Sequence, residues 1–168
     1  MIIRTAAIDD AEQLLNLQKQ LDNETTFMLY EPGERKRTLE EQARYIQQHL
    51  DEQHSTILVA EHEQRLVGYL SATGASLQRI KHTVYVVIGI LQAFTGQGIG
   101  TQLFERLEQW ARQQQIHRLE LTVMTNNQAG IALYQKMGFS IEGLRKDACV
   151  VNNAYVDEYY MAKLLNQG

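Results

Sequence analysis

Apolar residues recur along this chain at intervals that predict helices and strands in alternation. Intervals of three and four residues predict four amphipathic helices, the last of which runs from Asn127 to Lys136. The apolar faces of the first three helices are Ala11, Leu14, Leu17 and Leu21; Leu39, Ala43, Ile46 and Leu50; and Leu103, Phe104, Leu107, Trp110 and Ala111.

Polar residues and a glycine mark the ends of these helices. Asp9 or Asp10 can cap the first helix, because a side-chain oxygen before a helix accepts a free backbone N–H. Thr38 and Glu41 have the spacing of a capping box at the second helix. Gly138 suits the position after the fourth helix, where the chain often turns with a positive φ.

Short apolar and β-branched runs between the helices predict strands. These runs read MIIRTA, STILVAEH, RLVGYLSATG and RLELTV, with a longer one from His82 to Leu91. Near the end, Asn152-Asn153 looks like the turn of a hairpin that joins FSIEGLRKDACVV to AYVDEYYMAKLL. The pattern predicts one α/β domain over residues 1–168, in which a mixed sheet packs with four helices.

Composition and charge narrow the classes of function. At 168 residues and 44% hydrophobic content, the chain fits a single domain with one core. The net charge is -4, and glutamates bracket the basic run Arg35-Lys36-Arg37, which is typical of a solvated helix start rather than of a nucleic-acid surface. The longest apolar run, Val84–Leu91, is far shorter than the roughly 20 residues of a membrane helix. We therefore expect no nucleic-acid partner, no membrane contact and a cytoplasmic location.

The cysteine and histidines argue against a metal centre. Cys149 is the only cysteine, so neither an intrachain disulfide nor a thiolate zinc cluster can form, as expected in a reducing compartment. The five histidines make no H-E-x-x-H pattern, and His49 and His54 are interpreted as surface residues. No G-x-S-x-G nucleophile elbow occurs either. We expect no metal site.

A glycine-rich loop, TGQGIG at residues 95–100, follows the longest apolar run and precedes a helix. A dinucleotide fingerprint that begins at Gly96 would need a glycine where Thr101 stands, and a nucleotide P-loop fails at the same position. One interpretation is a flexible turn before a helix. The other is a cradle in which main-chain N–H groups and the positive end of the helix bind an anion such as a pyrophosphate.

This loop and a second motif resemble the GNAT superfamily of acetyl-CoA-dependent N-acetyltransferases. The family motif Q/R-x-x-G-x-G/A matches residues 95–100 apart from Thr95, where the family has Arg or Gln. NQAGIALYQKMGF, from Asn127 to Phe139, resembles N-x-x-A-x-x-L-Y-x-K-x-G-F apart from Gly130 at the alanine position. The resemblance implies the GNAT fold, a mixed and mostly antiparallel central sheet of about seven strands with four helices. It also implies acetyl-CoA as the acetyl donor, without a metal.

The resemblance assigns coenzyme contacts to the glycine loop and its neighbours. In the family the fourth and fifth strands separate, and the pantetheine arm pairs with exposed main chain. Gly89 interrupts the fourth strand here, as a bulge or a close approach would. Asn127 would contact the coenzyme arm or serve only as a helix cap. The implied coenzyme-binding residues are Ile90, Leu91, Thr95, Gly96, Gln97, Gly98, Ile99, Gly100, Thr101 and Asn127.

Tyr134 is the implied proton donor, whereas without the resemblance it would be interpreted as core filler. A phenol with a pKa of about 10 can protonate a thiolate whose conjugate acid has a pKa of about 8.5. The fourth strand contains no carboxylate, and Thr122 stands where a branch that acetylates protein N-termini has a glutamate. Glu120 and His82 are candidate bases acting through water, or they are exposed structural residues.

The acceptor amine decides how much a base is needed. Neutralising a lysine-like amine at pH 7 costs roughly 4.6 kcal/mol, against about 1 kcal/mol for an α-amine. An acceptor of low pKa therefore relaxes the need for a base.

Two segments are candidates for acceptor recognition, because the family uses the segment between the first two helices and the last hairpin. Acidic and aromatic side chains there could form a mouth for a cationic amine, or could simply be solvated. The tail loosely resembles the branch that includes spermidine and ribosomal-protein acetyltransferases, so a polyamine, another small amine and a protein or peptide amine stay open. A non-catalytic acetyl-CoA sensor is the alternative function, and a homodimer is one expectation. The candidate substrate residues are Phe27, Tyr30, Glu31, Asp157 and Tyr159, with Glu24, Glu34 and Glu158 near them.

Overall fold

The computed structural model describes residues 1–165 as a seven-stranded sheet with four α-helices, which confirms the predicted fold class. None of the described helices is long and apolar enough to cross a membrane. The strands are β1 (Ile2–Thr5), β2 (Thr56–His62), β3 (Arg65–Gly74), β4 (Thr83–Ile90), β5 (Arg118–Met124), β6 (Ser140–Val151) and β7 (Ala154–Leu164). The helices are α1 (Ala11–Glu24), α2 (Leu39–Asp51), α3 (Ile99–Gln113) and α4 (Gln128–Lys136).

The sheet is antiparallel except at its centre. The strand order is β1-β2-β3-β4-β5-β7-β6, and only β4 and β5 run parallel. Their ladder is short, since it joins Thr83–Tyr85 to Arg118–Glu120 and then ends. On its other side β4 stays paired with β3 as far as Ile90. A gap therefore opens between β4 and β5 beyond Tyr85.

Helices lie on both faces of the sheet near this gap. A Cβ built on Gly89 would point at Leu21 of α1, whereas the side chain of Ile90 approaches Gly100 at the start of α3. Successive residues of a strand point to opposite faces, so α1 and α3 lie on opposite faces of β4. The predicted apolar faces of α1 and α3 are confirmed, because their residues are buried or pack against the core.

The predicted face of α2 is correct only in part. Ile46 is buried, but Leu39 and Leu50 are 51% and 40% exposed. Gln42 and His49 are buried in their place. The prediction of His49 as a surface residue was therefore wrong. Its ring nitrogens lie 2.9 Å from the Tyr45 carbonyl and 2.9 Å from the Thr73 hydroxyl, and these hydrogen bonds satisfy a polar side chain inside the protein.

The helix ends follow the predicted pattern with one exception. Thr38 accepts the Glu41 N–H at 3.1 Å and caps α2 as predicted. Asp10 makes no side-chain cap at α1. Its carboxylate instead accepts the Ala7 N–H at 2.7 Å and binds Arg4 at 2.8 Å, so it fixes the turn before the helix.

The last two strands form the predicted hairpin. Asn152 and Asn153 have φ angles of 51° and 64°, and they separate Val151 of β6 from Ala154 of β7. Two consecutive positive φ angles in a two-residue loop define a type I′ turn, which matches the twist of antiparallel strands. The hairpin prediction is confirmed.

Candidate functional site

A cavity of about 720 Å³ occupies the gap where β4 leaves β5. It is bounded by the end of α1, the last residues of β4, the glycine loop and one side of α4. Leu91 and Gln97, both predicted coenzyme contacts, do not line it. The predicted coenzyme residues that do line it are Ile90, Thr95, Gly96, Gly98, Ile99, Gly100, Thr101 and Asn127.

The three glycines of the loop serve two different purposes. Gly96 and Gly98 have φ angles of 75° and 83°, and nothing lies within 4 Å of a Cβ built on either residue. Both are therefore needed for the backbone conformation, and they leave open space before the N-terminus of α3. Gly100 is different, because its Cβ would come within 2.7 Å of Leu133 on α4. It allows α3 and α4 to pack closely.

Thr95, the departure from the family motif, stabilises the loop itself. Its hydroxyl donates to the Gln92 carbonyl at 2.8 Å, across the 3-10 turn Gln92–Phe94. Gln97 makes a longer bond, from its amide to the Ala93 carbonyl at 3.4 Å. These contacts hold the loop from within, while its main-chain N–H groups at the helix start form the kind of site that binds anions.

The strand β4 presents alternate residues to the gap. The Leu91 N–H donates to the Val67 carbonyl of β3 at 2.9 Å, and the Leu91 carbonyl accepts the Phe94 N–H at 2.8 Å. Both main-chain groups of Leu91 are therefore engaged within the protein, and a coenzyme contact at Leu91 stays a prediction. Backbone direction alternates along a strand, so the main chain of Ile88 and Ile90 faces the gap.

Gly89 shows the predicted close approach, but the neighbour is part of the protein. It pairs with Tyr69 of β3 in regular register, without a bulge. A Cβ at this position would come within 2.7 Å of the Leu21 side chain and 3.2 Å of the Tyr69 ring. The glycine therefore lets α1 pack closely over β4.

Glu24, one of the residues considered for an acidic mouth, lines the cavity. Its carboxylate, at the end of α1, accepts the Gln92 N–H at 2.9 Å. The two residues are 68 positions apart in the chain. No local pattern could have paired them, and the contact ties α1 to the turn that follows β4.

Asn127 acts as the predicted cap and also lines the cavity. Its side-chain oxygen accepts the Gly130 N–H at 3.0 Å. A Cβ on Gly130 would lie 2.6 Å from the Asn127 amide nitrogen. This contact accounts for glycine at the alanine position of the motif.

The turn after α4 fixes Tyr134. The Phe139 N–H donates to the Tyr134 carbonyl at 2.9 Å and the Gly138 N–H donates to the Gln135 carbonyl at 3.0 Å. With Gly138 at a φ of 95°, these bonds form a Schellman motif. The predicted role of Gly138 is confirmed, and the ring of Phe139 packs 6.1 Å from that of Tyr134.

Tyr134 lies at the wall of the cavity with most of its surface buried. It is 8% exposed, and its ring meets Phe104 edge-on at 5.9 Å. Burial raises the pKa of Tyr134 to about 12, with a further contribution from nearby Tyr85. The hydroxyl is therefore firmly protonated at neutral pH, as a proton donor must be.

Lys136 places a positive charge at the same cavity. Its ammonium donates to the Thr101 hydroxyl at 3.1 Å, beside the first turn of α3. Both residues line the cavity. A cation next to a helix N-terminus strengthens a site for a phosphate group.

The structure does not bring the two candidate bases to Tyr134. The Glu120 carboxylate accepts a bond from Arg118 at 2.8 Å and lies outside the cavity lining. Glu120 pairs with Tyr85 where the β4–β5 ladder is still closed. His82 is exposed before β4, with its ring 6.5 Å from that of His117 and the whole length of the strand between it and Ile90. Neither residue lines the cavity, and a role for either as a base acting through water stays a prediction.

Of the five predicted substrate residues, only Phe27 lines the cavity. Tyr30 lies under the Arg35 guanidinium at 4.4 Å, and Glu31 is exposed on the segment between α1 and α2. The Asp157 carboxylate accepts the Asp147 N–H at 2.7 Å within the hairpin.

Strand alternation explains the position of Tyr159. It packs against the core on the same side of β7 as buried Met161. Tyr160, the next residue, points to the opposite face and is 47% exposed. Tyr159 was predicted as a substrate residue, and its side chain packs against the core rather than lining the cavity.

No group of three or more His, Cys, Asp or Glu side chains among residues 1–165 could hold a metal ion. The cavity instead combines open space before a helix N-terminus, a strand edge and a buried phenol, an arrangement suited to a coenzyme-dependent group-transfer protein. A family model described as Acetyltransferase (GNAT) family matches residues 9–139, which include both motifs. The chain belongs to the GNAT acetyltransferase family, whose members use acetyl-CoA.

Similar proteins agree with this assignment. The L-amino acid N-acetyltransferase AaaT of Escherichia coli is 32% identical over 103 residues, which is 59% of this chain and 62% of that protein. A GNAT-family acetyltransferase of Streptococcus pneumoniae has 30% identity and a TM-score of 0.94, covering 98% of this chain and 99% of its own. The Salmonella typhimurium protein yncA, solved with its cofactor acetyl-CoA, has the same fold at 21% identity, with a TM-score of 0.88 over 99% of this chain and 95% of its own.

Proposed function

We propose that this protein transfers the acetyl group of acetyl-CoA to a primary amine while both substrates are bound. The observation that carries the proposal is the position of Tyr134, a buried and firmly protonated phenol in the wall of the cavity that the glycine loop closes. A site that only bound the coenzyme would have no need of a proton donor there.

The cavity fits a long coenzyme with a charged end. Open space lies before Gly96 and Gly98, and the Lys136 ammonium lies near the helix start. These residues would hold the pyrophosphate, and the main chain of Ile88 and Ile90 would pair with the pantetheine arm. The coenzyme supplies an activated acetyl thioester when it is bound.

The protein has three tasks in the transfer. It holds the amine against the thioester carbon, receives the proton that the nitrogen gives up, and supplies a proton to the sulfur. The C–N bond forms while the C–S bond breaks, and the Tyr134 hydroxyl protonates the departing thiolate. Because burial raises the pKa of Tyr134 to about 12, the hydroxyl carries its proton when the transfer begins.

An amine acceptor is also consistent with the name of the Escherichia coli relative, an L-amino acid N-acetyltransferase. The alternative is a sensor that binds acetyl-CoA without turnover. Thiol release from acetyl-CoA, measured across amino acids, peptides, polyamines and aminoglycosides, separates the two. We expect release with at least one amine, together with its acetylated product by mass spectrometry. Acetyl-CoA binding by calorimetry without acetylation of any amine would contradict the proposal.

A further inference from the structure

Two hydroxyl groups meet where the β4–β5 ladder ends. The Tyr85 hydroxyl lies 2.7 Å from the Thr122 hydroxyl, so they form a hydrogen bond across the closed end of the gap. Tyr85 is the last residue of β4 that pairs with β5, and it is 40% exposed. A molecule that enters the gap from this face would meet the pair.

The hydroxyl pair and Tyr134, the proposed proton donor, lie beside the same gap. Tyr85 and Gly89 are four residues apart on β4 and therefore share the face on which α1 lies. Tyr134 reaches the gap from α4 and lines the cavity with Ile88. The Tyr85 hydroxyl is close enough to Tyr134 to contribute to its raised pKa. The two phenols therefore face the same gap.

Other acidic and basic groups around the pair are already engaged. On β5, the Glu120 carboxylate opposite Tyr85 is bonded to Arg118 at 2.8 Å. On α2, the His49 ring is hydrogen-bonded at both nitrogens, one of them to Thr73, the β3 partner of Tyr85.

Three further polar groups lie on β7 and before β4. Tyr160 of β7 lies opposite Thr122. Two residues before Tyr160 in β7, Glu158 forms an ion pair with Arg145 at 3.2 Å. His82 is separated from the pair by the start of β4 and lies near His117. Among residues 1–165, the Tyr85 and Thr122 hydroxyls thus lie at the closed end of the gap outside the ion pairs that engage Glu120 and Glu158.

We propose that the Tyr85–Thr122 hydroxyl pair binds the nitrogen of the acceptor, and that the acceptor is an α-amino group rather than a lysine side chain or a polyamine. This inference rests on the proposed acetyl transfer. A hydroxyl oxygen accepts a hydrogen bond from an N–H, but it cannot retain a proton at neutral pH. The pair therefore leaves deprotonation of a charged amine to water, and acceptors with a large neutral fraction are favoured.

The size of this preference follows from the neutral fractions. At pH 7 about 14% of an α-amine with a pKa of about 7.8 is neutral, against about 0.04% of a lysine-like amine. The ratio is roughly 300-fold. Greater nucleophilicity of the more basic amine offsets part of it, so we expect at least a tenfold preference.

The transfer balances without a charged base. The nitrogen lone pair forms the bond to the acetyl carbon, the C–S bond breaks, and the thiolate takes the Tyr134 proton. The surplus proton on nitrogen passes through the hydrogen bond to the hydroxyl pair and on to water. Solvent then reprotonates Tyr134.

Two isomers of one compound test the acceptor class. Nε-acetyl-lysinamide offers only an α-amine, and Nα-acetyl-lysinamide offers only an ε-amine. We expect kcat/KM at pH 7 to favour the first by at least tenfold. We also expect each pH profile to rise up to the pKa of its own amine. A preference for the ε-amine, or one enzyme pKa shared by both profiles, would overturn the inference while leaving acetyl transfer intact. No transfer to either isomer or to any other amine would overturn the proposed function as well.

Substitutions test the hydroxyl pair. Tyr85→Phe and Thr122→Val should each lower kcat/KM for the amine at least tenfold, while acetyl-CoA affinity stays within threefold. Tyr155→Phe is the matched control, since this tyrosine is 73% exposed on the β6–β7 hairpin and its loss should change neither value. Unchanged kinetics in folded Tyr85→Phe and Thr122→Val variants would refute the assigned binding role.

Discussion

The glycine loop and the turn after α4, on the coenzyme side of the gap, are each held by bonds between residues close together in the chain, whereas the hydroxyl pair on the acceptor side joins residues far apart. On the coenzyme side, the loop bond joins Thr95 to Gln92 and the turn bond joins Phe139 to Tyr134. On the acceptor side, Tyr85 and Thr122 are 37 residues apart. The first set of contacts follows from local backbone geometry, and the second depends on strand register.

The largest effect is expected from Gly98→Val, which breaks the coenzyme side. A side chain at this φ of 83° is strained, and it would fill the open space before α3 where the pyrophosphate is proposed to bind. We expect acetyl-CoA affinity to fall at least about 100-fold, which is roughly 2.7 kcal/mol. Calorimetry on the folded variant measures it.

Gly33→Val is the matched control for this substitution. Gly33 also has a left-handed φ, 79°, with nothing within 4 Å of an added Cβ, but it lies away from the cavity. Its substitution carries similar backbone strain and should leave acetyl-CoA affinity unchanged. Equal losses of affinity in both variants would mean that strain, rather than the cradle, accounts for the effect.

Replacement of Tyr134 tests proton donation to the thiolate separately from the binding of acetyl-CoA. Tyr134→Phe should lower kcat at least about tenfold, as loss of a general acid does, with acetyl-CoA affinity within threefold. In the wild type, the pKa of about 12 predicts that kcat does not fall between pH 7 and pH 10, because the acid stays protonated there. An unchanged kcat in the variant would exclude Tyr134 as the proton donor.

Sequence reasoning succeeded where contacts are local. A few neighbouring positions were enough to predict four local features, each of which is found: the strand β4, the glycine loop after it, the cap at Asn127 and the turn at Gly138. Sequence reasoning did not resolve which residues face the gap at the end of β4 and along β7, where the main-chain groups of Leu91 are engaged within the protein and Tyr159 packs against the core. Periodicity predicts that successive residues alternate, but only pairing with neighbouring strands decides which of them faces the gap.

The contacts between packed helices and strands could not be predicted from the sequence for a related reason. Gly89 and Gly100 stand out in the sequence as unusual positions. The sequence does not indicate that the side chains of Leu21 and Leu133 approach them. The buried hydrogen bonds of His49 could not be predicted either. A histidine on the exposed face of a helix and a buried histidine with both ring nitrogens hydrogen-bonded have the same local sequence pattern.

A smaller effect is expected from Glu24, whose carboxylate joins the end of α1 to the turn before the glycine loop. Glu24→Ala removes the acceptor of the Gln92 N–H and frees the turn beside the glycine loop. One hydrogen bond contributes about 1 kcal/mol, so acetyl-CoA affinity should fall about fivefold. Glu24→Gln keeps an oxygen acceptor and should stay within twofold. If the Gln variant loses as much as the Ala variant, the negative charge matters and Glu24 acts on the ligand directly.

The smallest effect on the site is expected from Asp10, which holds the corner before α1. Asp10→Asn weakens the bonds to Arg4 and to the Ala7 N–H, and should lower the free energy of unfolding by about 2 kcal/mol at pH 7. Arg4 lowers the pKa of Asp10 in the folded protein. The stabilisation is therefore present above the unfolded-state value of about 3.9 and is lost as the pH falls through the folded value.

Denaturant unfolding at several pH values, together with kinetics, checks this last expectation. The difference between wild type and Asp10→Asn should begin to shrink below about pH 4, where Asp10 of the unfolded chain takes up a proton, and should be lost once the pH is below the pKa of folded Asp10. Asp9→Asn, an exposed neighbour, should change stability by less than about 0.5 kcal/mol. Because α1 carries Leu21 and Glu24 to the gap from this corner, a loss of acetyl-CoA affinity in folded Asp10→Asn would show that the corner sets the geometry of the cavity. Unchanged affinity would show that packing of Leu21 over Gly89 is sufficient to position the helix.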